Sequence, residues 1–269
     1  MKTIMLHIHD DSEQAGRLQI AIDLARAADA HITCLQLVGL EPLGIDPLGG
    51  FFGLSAMIET IHAHDHRFRQ DLEARLRQEG VAWDWRCFDG AVIETLIAQS
   101  RLADVLVISQ PVAGRQGADD PLPIVADVVL HNNAPVLVVP IGAKAFAANA
   151  DAMLAWNGSA EAAHAMRLAL PLLKRAACVH IVEVSDDRPG APAADAALFL
   201  ARHGIACEVH EWPAKGRRTA VALRHAATEL DARYVVMGAY GHSRLRETVL
   251  GGVTRELIQS STVPLLLAH

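Results

Sequence analysis

Val235-Val236-Met237-Gly238-Ala239-Tyr240-Gly241 runs on through His242-Ser243-Arg244-Leu245-Arg246-Glu247-Thr248-Val249-Leu250 to Gly251-Gly252-Val253-Thr254. An apolar, β-branched run stops at a glycine, a polar and basic segment follows, and a glycine pair opens a stretch that reads as a helix from Val253 to Ser260. The reading is strand, loop, helix N-terminus. A helix start leaves its first N–H groups unpaired and carries a partial positive charge, and glycines let a ligand approach the backbone closely. The stretch therefore predicts phosphate binding, with the backbone of Gly238, Gly241, Gly251, Gly252 and Val253 as the leading donors. The competing reading is that the glycines serve only a turn and a helix cap.

Gly238, two residues, Gly241, nine residues, then Gly251 resembles the glycine pattern of the ATP-binding members of the universal stress protein family. That family usually has Ser or Thr at the next position, where this chain has Gly252, with Thr254 two residues on. The resemblance implies an adenine nucleotide as ligand, ATP first, with ADP or AMP and an accompanying magnesium ion left open. His242 and Arg244 lie inside the motif, and a guanidinium there can pair with phosphate oxygens. A loop facing solvent would be polar without a ligand as well.

Working outward from this stretch, the chain repeats itself. Ile4 to Ser12 matches Asp151 to Ser159 at an offset of 147, which also pairs Ile32–Leu37 with Val179–Val184. Gly80-Val81 pairs with Gly204-Ile205 at 124, and Ala103–Ile108 pairs with Ala232–Met237 at 129, a register that continues to Pro135–Val138 against Pro264–Leu267. Self-similarity of this length means duplication of a whole domain. The expected units are residues 1–141 and 150–269, joined by a short linker after Pro140. The fall in offset from 147 to 124 places about 23 additional residues between Val38 and Gly80 of the first copy, Gly39 to Gly53 among them. This Gly/Pro-rich apolar stretch reads either as a lid or contact surface, or as a loop packed over the domain.

Within each copy, short apolar strands alternate with amphipathic segments such as Ala15–Ala28, Phe68–Arg77 and Val92–Ser100. The order β-α-β-α-β-α-β-α-β predicts an α/β fold: two tandem domains, each a five-stranded parallel sheet with helices on both faces, in the Rossmann-like manner. In such sheets ligands gather at the carboxyl ends of the strands. The apolar last strands, Val136–Pro140 and Leu265–His269, are expected to pair the copies as an intrachain pseudo-dimer. A homodimer is left open.

Asn157 and Asp10 occupy the same repeat position, just after the first strand of each copy. By the resemblance this position lies near the base and sugar of a nucleotide, and Asn157 can both donate and accept there. It can equally cap the following helix with Gly158-Ser159. Val184 matches a region that lines the adenine pocket in relatives, and a strand valine also belongs in a core. In the first copy the positions of Gly238, Gly241, Gly251 and Gly252 hold Ser109, Val112, Leu122 and Pro123, and Asp119 and Asp120 stand between them. One nucleotide per chain, in the second copy, is the expectation.

Composition narrows the remaining classes. The 269 residues are 51% hydrophobic, ample for a buried core, and no apolar run approaches the ~20 residues needed to span a bilayer. The N-terminus meets His and Asp too soon for a signal peptide, so the expectation is a cytoplasmic protein with no membrane partner. A net charge of −7, from 24 basic and 31 acidic residues without a basic block, argues against nucleic-acid binding. Cys34, Cys87, Cys178 and Cys207 show no metal-type spacing and read as free thiols. His62 and His66 share a helix face, and His7 and His9 a strand face, without further ligands in sequence, and no metal site is assigned. No G-x-x-x-x-G-K-[ST], G-x-S-x-G or H-E-x-x-H occurs, so no catalytic residue is named. The reading is a nucleotide-binding stress-response sensor or regulator. A slow ATPase and a nucleotide-free scaffold are the alternatives.

Overall fold

The computed structural model describes residues 1–38, 54–112, 114, 117, 119–184, 190–214, 216–241 and 252–269, with side chains of α2 described from residue 65. The first half runs β1 (Thr3–Ile8), α1 (Gln14–Ala28), β2 (His31–Val38), α2 (Leu54–Glu79), β3 (Ala82–Asp89), α3 (Val92–Gln99), β4 (Val105–Ser109), α4 (Val125–His131) and β5 (Val136–Val139). The second repeats it: β6 (Ala152–Trp156), α5 (Ala160–Leu173), β7 (Val179–Val184), α6 (Ala193–Arg202), β8 (Cys207–Trp212), α7 (Thr219–Glu229), β9 (Tyr234–Gly238), α8 (Gly252–Ser260) and β10 (Leu265–Ala268). The alternation expected from the sequence is the alternation observed.

The strands form one ten-stranded sheet in the order β3-β2-β1-β4-β5-β10-β9-β6-β7-β8. All pairs within a half are parallel, and the seam between β5 and β10 is antiparallel. The central strands are apolar on both faces, as crossover helices on both sides require: β1, β4, β5, β6 and β10 are buried almost throughout. Two apolar layers result. One contains Ile4, Leu6, Leu154 and Leu266 with α1 and α5, and the other Leu106, Val138, Val235 and Leu265 with α4, α7 and α8. The outer strands β3 and β8 are partly exposed and carry charged residues, which discourages further strand addition.

The extra residues of the first half extend α2 to 26 residues, against 10 in its counterpart α6. Gly39 to Gly53 lies outside the described residues. No described helix is long and apolar enough to cross a membrane.

Candidate functional site at the carboxyl edge of the second half

The second half turns back on itself at β6. From there the chain moves outward through β7 and β8, then returns to the other side of β6 with β9 and β10. The carboxyl ends of β6 and β9 therefore flank the switch point, where open α/β sheets leave a crevice. Asn157 follows β6, and Gly238 closes β9.

The approach of these two ends is tight. A Cβ on Gly238 would lie 2.5 Å from the Ala162 nitrogen and the Glu161 carbonyl carbon, so only glycine lets β9 pass the first turn of α5. That helix is well started: the Ser159 hydroxyl accepts from the Ala162 N–H at 3.1 Å. Asn157 is exposed, and its Oδ1 accepts from the Ser159 N–H at 3.2 Å in an Asx turn. Gly158, at φ +70, lies under the segment entering α6; a Cβ there would meet the Ala191 nitrogen at 2.4 Å. Trp156 Nε1 donates to the Ala191 carbonyl at 2.8 Å and ties that segment down over β6.

Past Gly238 the chain bends at Tyr240, a non-glycine residue at φ +58. Its N–H donates to the Thr254 hydroxyl at 3.4 Å, which links the end of β9 to the first turn of α8. Burial, then the charge of Asp127, push the Tyr240 phenol up to about 12, with Arg255 opposing. Gly252 opens α8 at an exposed position where a Cβ would meet nothing within 4 Å. Val253 beside it is half-buried, and Val184 is a buried core residue on the α7 side of the sheet. Among the residues named from the sequence, Asn157, Gly238, Gly241, Gly252, Val253 and Thr254 thus lie around the ends of β6, β9 and the start of α8. Val184 closes β7 on the same edge. His242, Arg244 and Gly251 lie outside the described residues.

Glu161 is the member that sequence reasoning missed. It stands in the first turn of α5, where the helix dipole favours an anion. A Cβ on Gly241 would lie 3.0 Å from its Oε2, and that buried oxygen accepts no hydrogen bond among the described residues. An unsatisfied buried acceptor costs about 1–3 kcal/mol and more when charged. Its repeat partner is Gln14, a substitution that a comparison of the copies exposes.

The equivalent edge of the first half is filled from within. Arg17, 1% exposed, donates through Nε to the His7 carbonyl at 2.8 Å and through Nη2 to the His9 carbonyl at 3.0 Å and to Gln14. Its Nη1 meets Asp11 Oδ2 at 3.0 Å and the hydroxyl of Ser109, the residue that replaces Gly238. Ser12 N–H donates to the Asp119 carbonyl at 2.8 Å, drawing that segment onto the same edge. A guanidinium and a carboxylate neutralise each other where a ligand would otherwise enter. His7, buried beside them, stacks on His9 with centroids 5.8 Å apart.

These features define a tandem, doubly wound α/β protein whose two switch-point edges differ: among the described residues one is lined by glycines and the other is filled by a buried ion pair. The model of the universal stress protein family matches residues 204–269, the segment that holds the glycine motif, and so the C-terminal part of the chain carries a universal stress protein domain. A universal stress protein from Archaeoglobus fulgidus DSM 4304 is similar over 99% of this chain and 97% of its own, with a TM-score of 0.76 at 17% identity. A Pseudomonas aeruginosa UCBPP-PA14 protein described as a candidate universal stress protein matches over 100% and 93%, with a TM-score of 0.61 at 16% identity. At these identities the likeness is one of fold, and it extends over both halves. No curated protein matches the chain.

Proposed function

We propose that this chain is a nucleotide-binding stress-response protein of the cytoplasm, built from units 1–141 and 150–269, and that it holds one adenine nucleotide, ATP first, in the second unit. The single observation that carries the reading is the difference between the two switch points. In the second, glycine at 238 and 241, the exposed start of α8 at Gly252 and a Glu161 carboxylate oxygen that has no hydrogen-bond partner among the described residues surround the edge. In the first, Arg17, Asp11 and Ser109 occupy it.

The residues present fit such a ligand. The N-terminus of α8 offers unpaired N–H groups to phosphate oxygens, with Gly252 leaving the approach clear. Asn157 supplies an amide to a ribose hydroxyl or base edge, and Glu161 supplies an acceptor to a ligand donor or to a magnesium ion accompanying the phosphates. His242, Arg244 and Gly251 are assigned to the phosphate side by the motif. Sensing or storage is preferred over turnover because the sequence carries none of the standard NTPase motifs.

Calorimetric titration of the full chain with ATP tests this. The expected stoichiometry is one, abolished by Gly251→Glu, which adds a carboxylate and a side chain at the helix start. Two equivalent sites, or one that survives the substitution, would overturn the assignment.

A further inference from the structure

The opposite end of the second half carries a cluster that the nucleotide site does not use. Cys178-Val179-His180 leads into β7 and Glu208-Val209-His210 lies on β8. In the parallel register His180 faces Glu208 and Val182 faces His210, so period-two alternation puts Cys178, His180, Glu208 and His210 on one side of the sheet. Their ligand atoms converge. His180 Nδ1 is 3.0 Å from His210 Nε2, and Glu208 Oε2 lies 3.7 Å from each of those nitrogens.

A triangle with sides of 3.0, 3.7 and 3.7 Å has a circumscribed radius of about 2.0 Å, which is the bond length of zinc to imidazole nitrogen and carboxylate oxygen. One point is therefore at bonding distance from all three donors without moving any of them. Cys178 Sγ comes within 4.8 Å of the ligand atoms of His180 and Glu208 and is the candidate for a fourth position. On the far side of the ring, with Nδ1 of His180 turned to the cluster, Nε2 faces Asp151 Oδ2 at 3.7 Å, which puts a carboxylate on the side where metal-bound imidazoles are oriented by one. Two imidazole nitrogens facing each other can share only one proton, whereas a cation engages both lone pairs.

We propose that His180, Glu208 and His210, with Cys178 as the fourth donor, form a site for a divalent transition-metal ion, with zinc as its natural occupant and Asp151 as the positioning carboxylate. The site sits at the amino ends of the strands and is independent of any nucleotide at their carboxyl ends. Mixed sulfur, nitrogen and oxygen donors suit zinc and exclude magnesium or calcium, which take oxygen ligands. His180 is 10% exposed and fixes the inner side, while Glu208, at 64%, leaves an entry path.

The test uses the full chain without a histidine tag, free of nucleotide, titrated with zinc alone against a chromophoric chelator. One zinc ion per chain is expected. His180→Asn and His210→Asn should each weaken binding tenfold or more, and Asp151→Asn about tenfold. Glu208 is exposed, so Glu208→Gln keeps the fold and its loss of affinity reports the ligand and not unfolding. Cobalt substitution should give a thiolate-to-metal charge-transfer band that Cys178→Ser removes. Zinc uptake unchanged in a folded His180→Asn/His210→Asn double variant would overturn the site, and a cobalt complex without the thiolate band would overturn the four-ligand set.

Discussion

Leu137 and Leu266 face each other across the antiparallel β5–β10 ladder, and they are the same position of the repeat. Their neighbours obey the same rule: Val136 meets Leu267 and Val138 meets Leu265, so a pseudo-two-fold axis passes between the two leucines. The contact is isologous in the sense of a homodimer, made within one chain. All six of these side chains are buried, at 2% exposure or less.

A fragment of residues 150–269 would carry β10 with its apolar edge uncovered. Because β5 and β10 are equivalent and already pair in a symmetric register, β10 can pair with a second copy of itself in the same geometry. The fragment is expected to be a dimer by sedimentation, dissociated by Leu266→Lys. A stable monomer with the full chain's denaturation midpoint would contradict this account of the seam.

Gly238 is required by packing before any ligand is considered. Gly238→Ala places a methyl 2.5 Å from backbone atoms of Glu161 and Ala162, which can yield only if the start of α5 moves. Overpacking of this kind costs about 1–3 kcal/mol. Urea denaturation should show that loss in the absence of nucleotide, together with weaker ATP binding. A variant as stable as the parent would mean that α5 adapts freely.

This residue shows what the sequence could and could not disclose. The repeat and its strand and helix patterns made the fold legible, since the central strands are apolar runs separated by amphipathic segments. The glycine spacing located the switch-point edge, but a glycine that cradles a ligand and one that lets a helix pass look alike in sequence. Gly238 is visibly the second, whatever it does for a ligand. Arg17 and Glu161 went unread because a single charged residue near the start of a helix reads as solvent-facing, and only the offset of 147 sets them beside His164 and Gln14. Cys178 and His180 were hidden for another reason: their partners, Glu208 and His210, lie on the neighbouring strand, joined by sheet register and not by sequence distance.

His7 gives a pH dependence with a definite sign. Burial, then the positive charge of Arg17, then His9, hold its imidazole well below the ordinary 6.5, so the folded protein keeps it neutral. The unfolded chain takes up a proton as pH falls through 6.5 and the folded one does not, so this contribution to stability is complete above that pH and is lost below it. The slope is about 1.4 kcal/mol per pH unit until the folded-state value is reached. Denaturation midpoints between pH 7.5 and 5.5 should fall more steeply for the parent than for His7→Leu. Parallel curves would show that His7 does not titrate differently on unfolding.

Arg17 closes the first half, and its removal separates two reasons for that half's silence. Arg17→Met leaves the Asp11 side chain, 1% exposed, without its counter-charge, and strips the His7 and His9 carbonyls of a donor. Breaking a buried pair from one side costs about 3–5 kcal/mol. Changing both partners, as Asp11→Asn/Arg17→Met, should cost less than Arg17→Met alone, because asparagine needs no counter-charge and still accepts from the Glu13 N–H, now 2.9 Å from Asp11 Oδ1. ATP stoichiometry in the double variant should stay at one, since Ser109, Val112, Leu122 and Pro123 stand where the second half has glycines. Calorimetry showing a second equivalent of ATP would mean that the guanidinium, and not the missing glycines, had kept the nucleotide out.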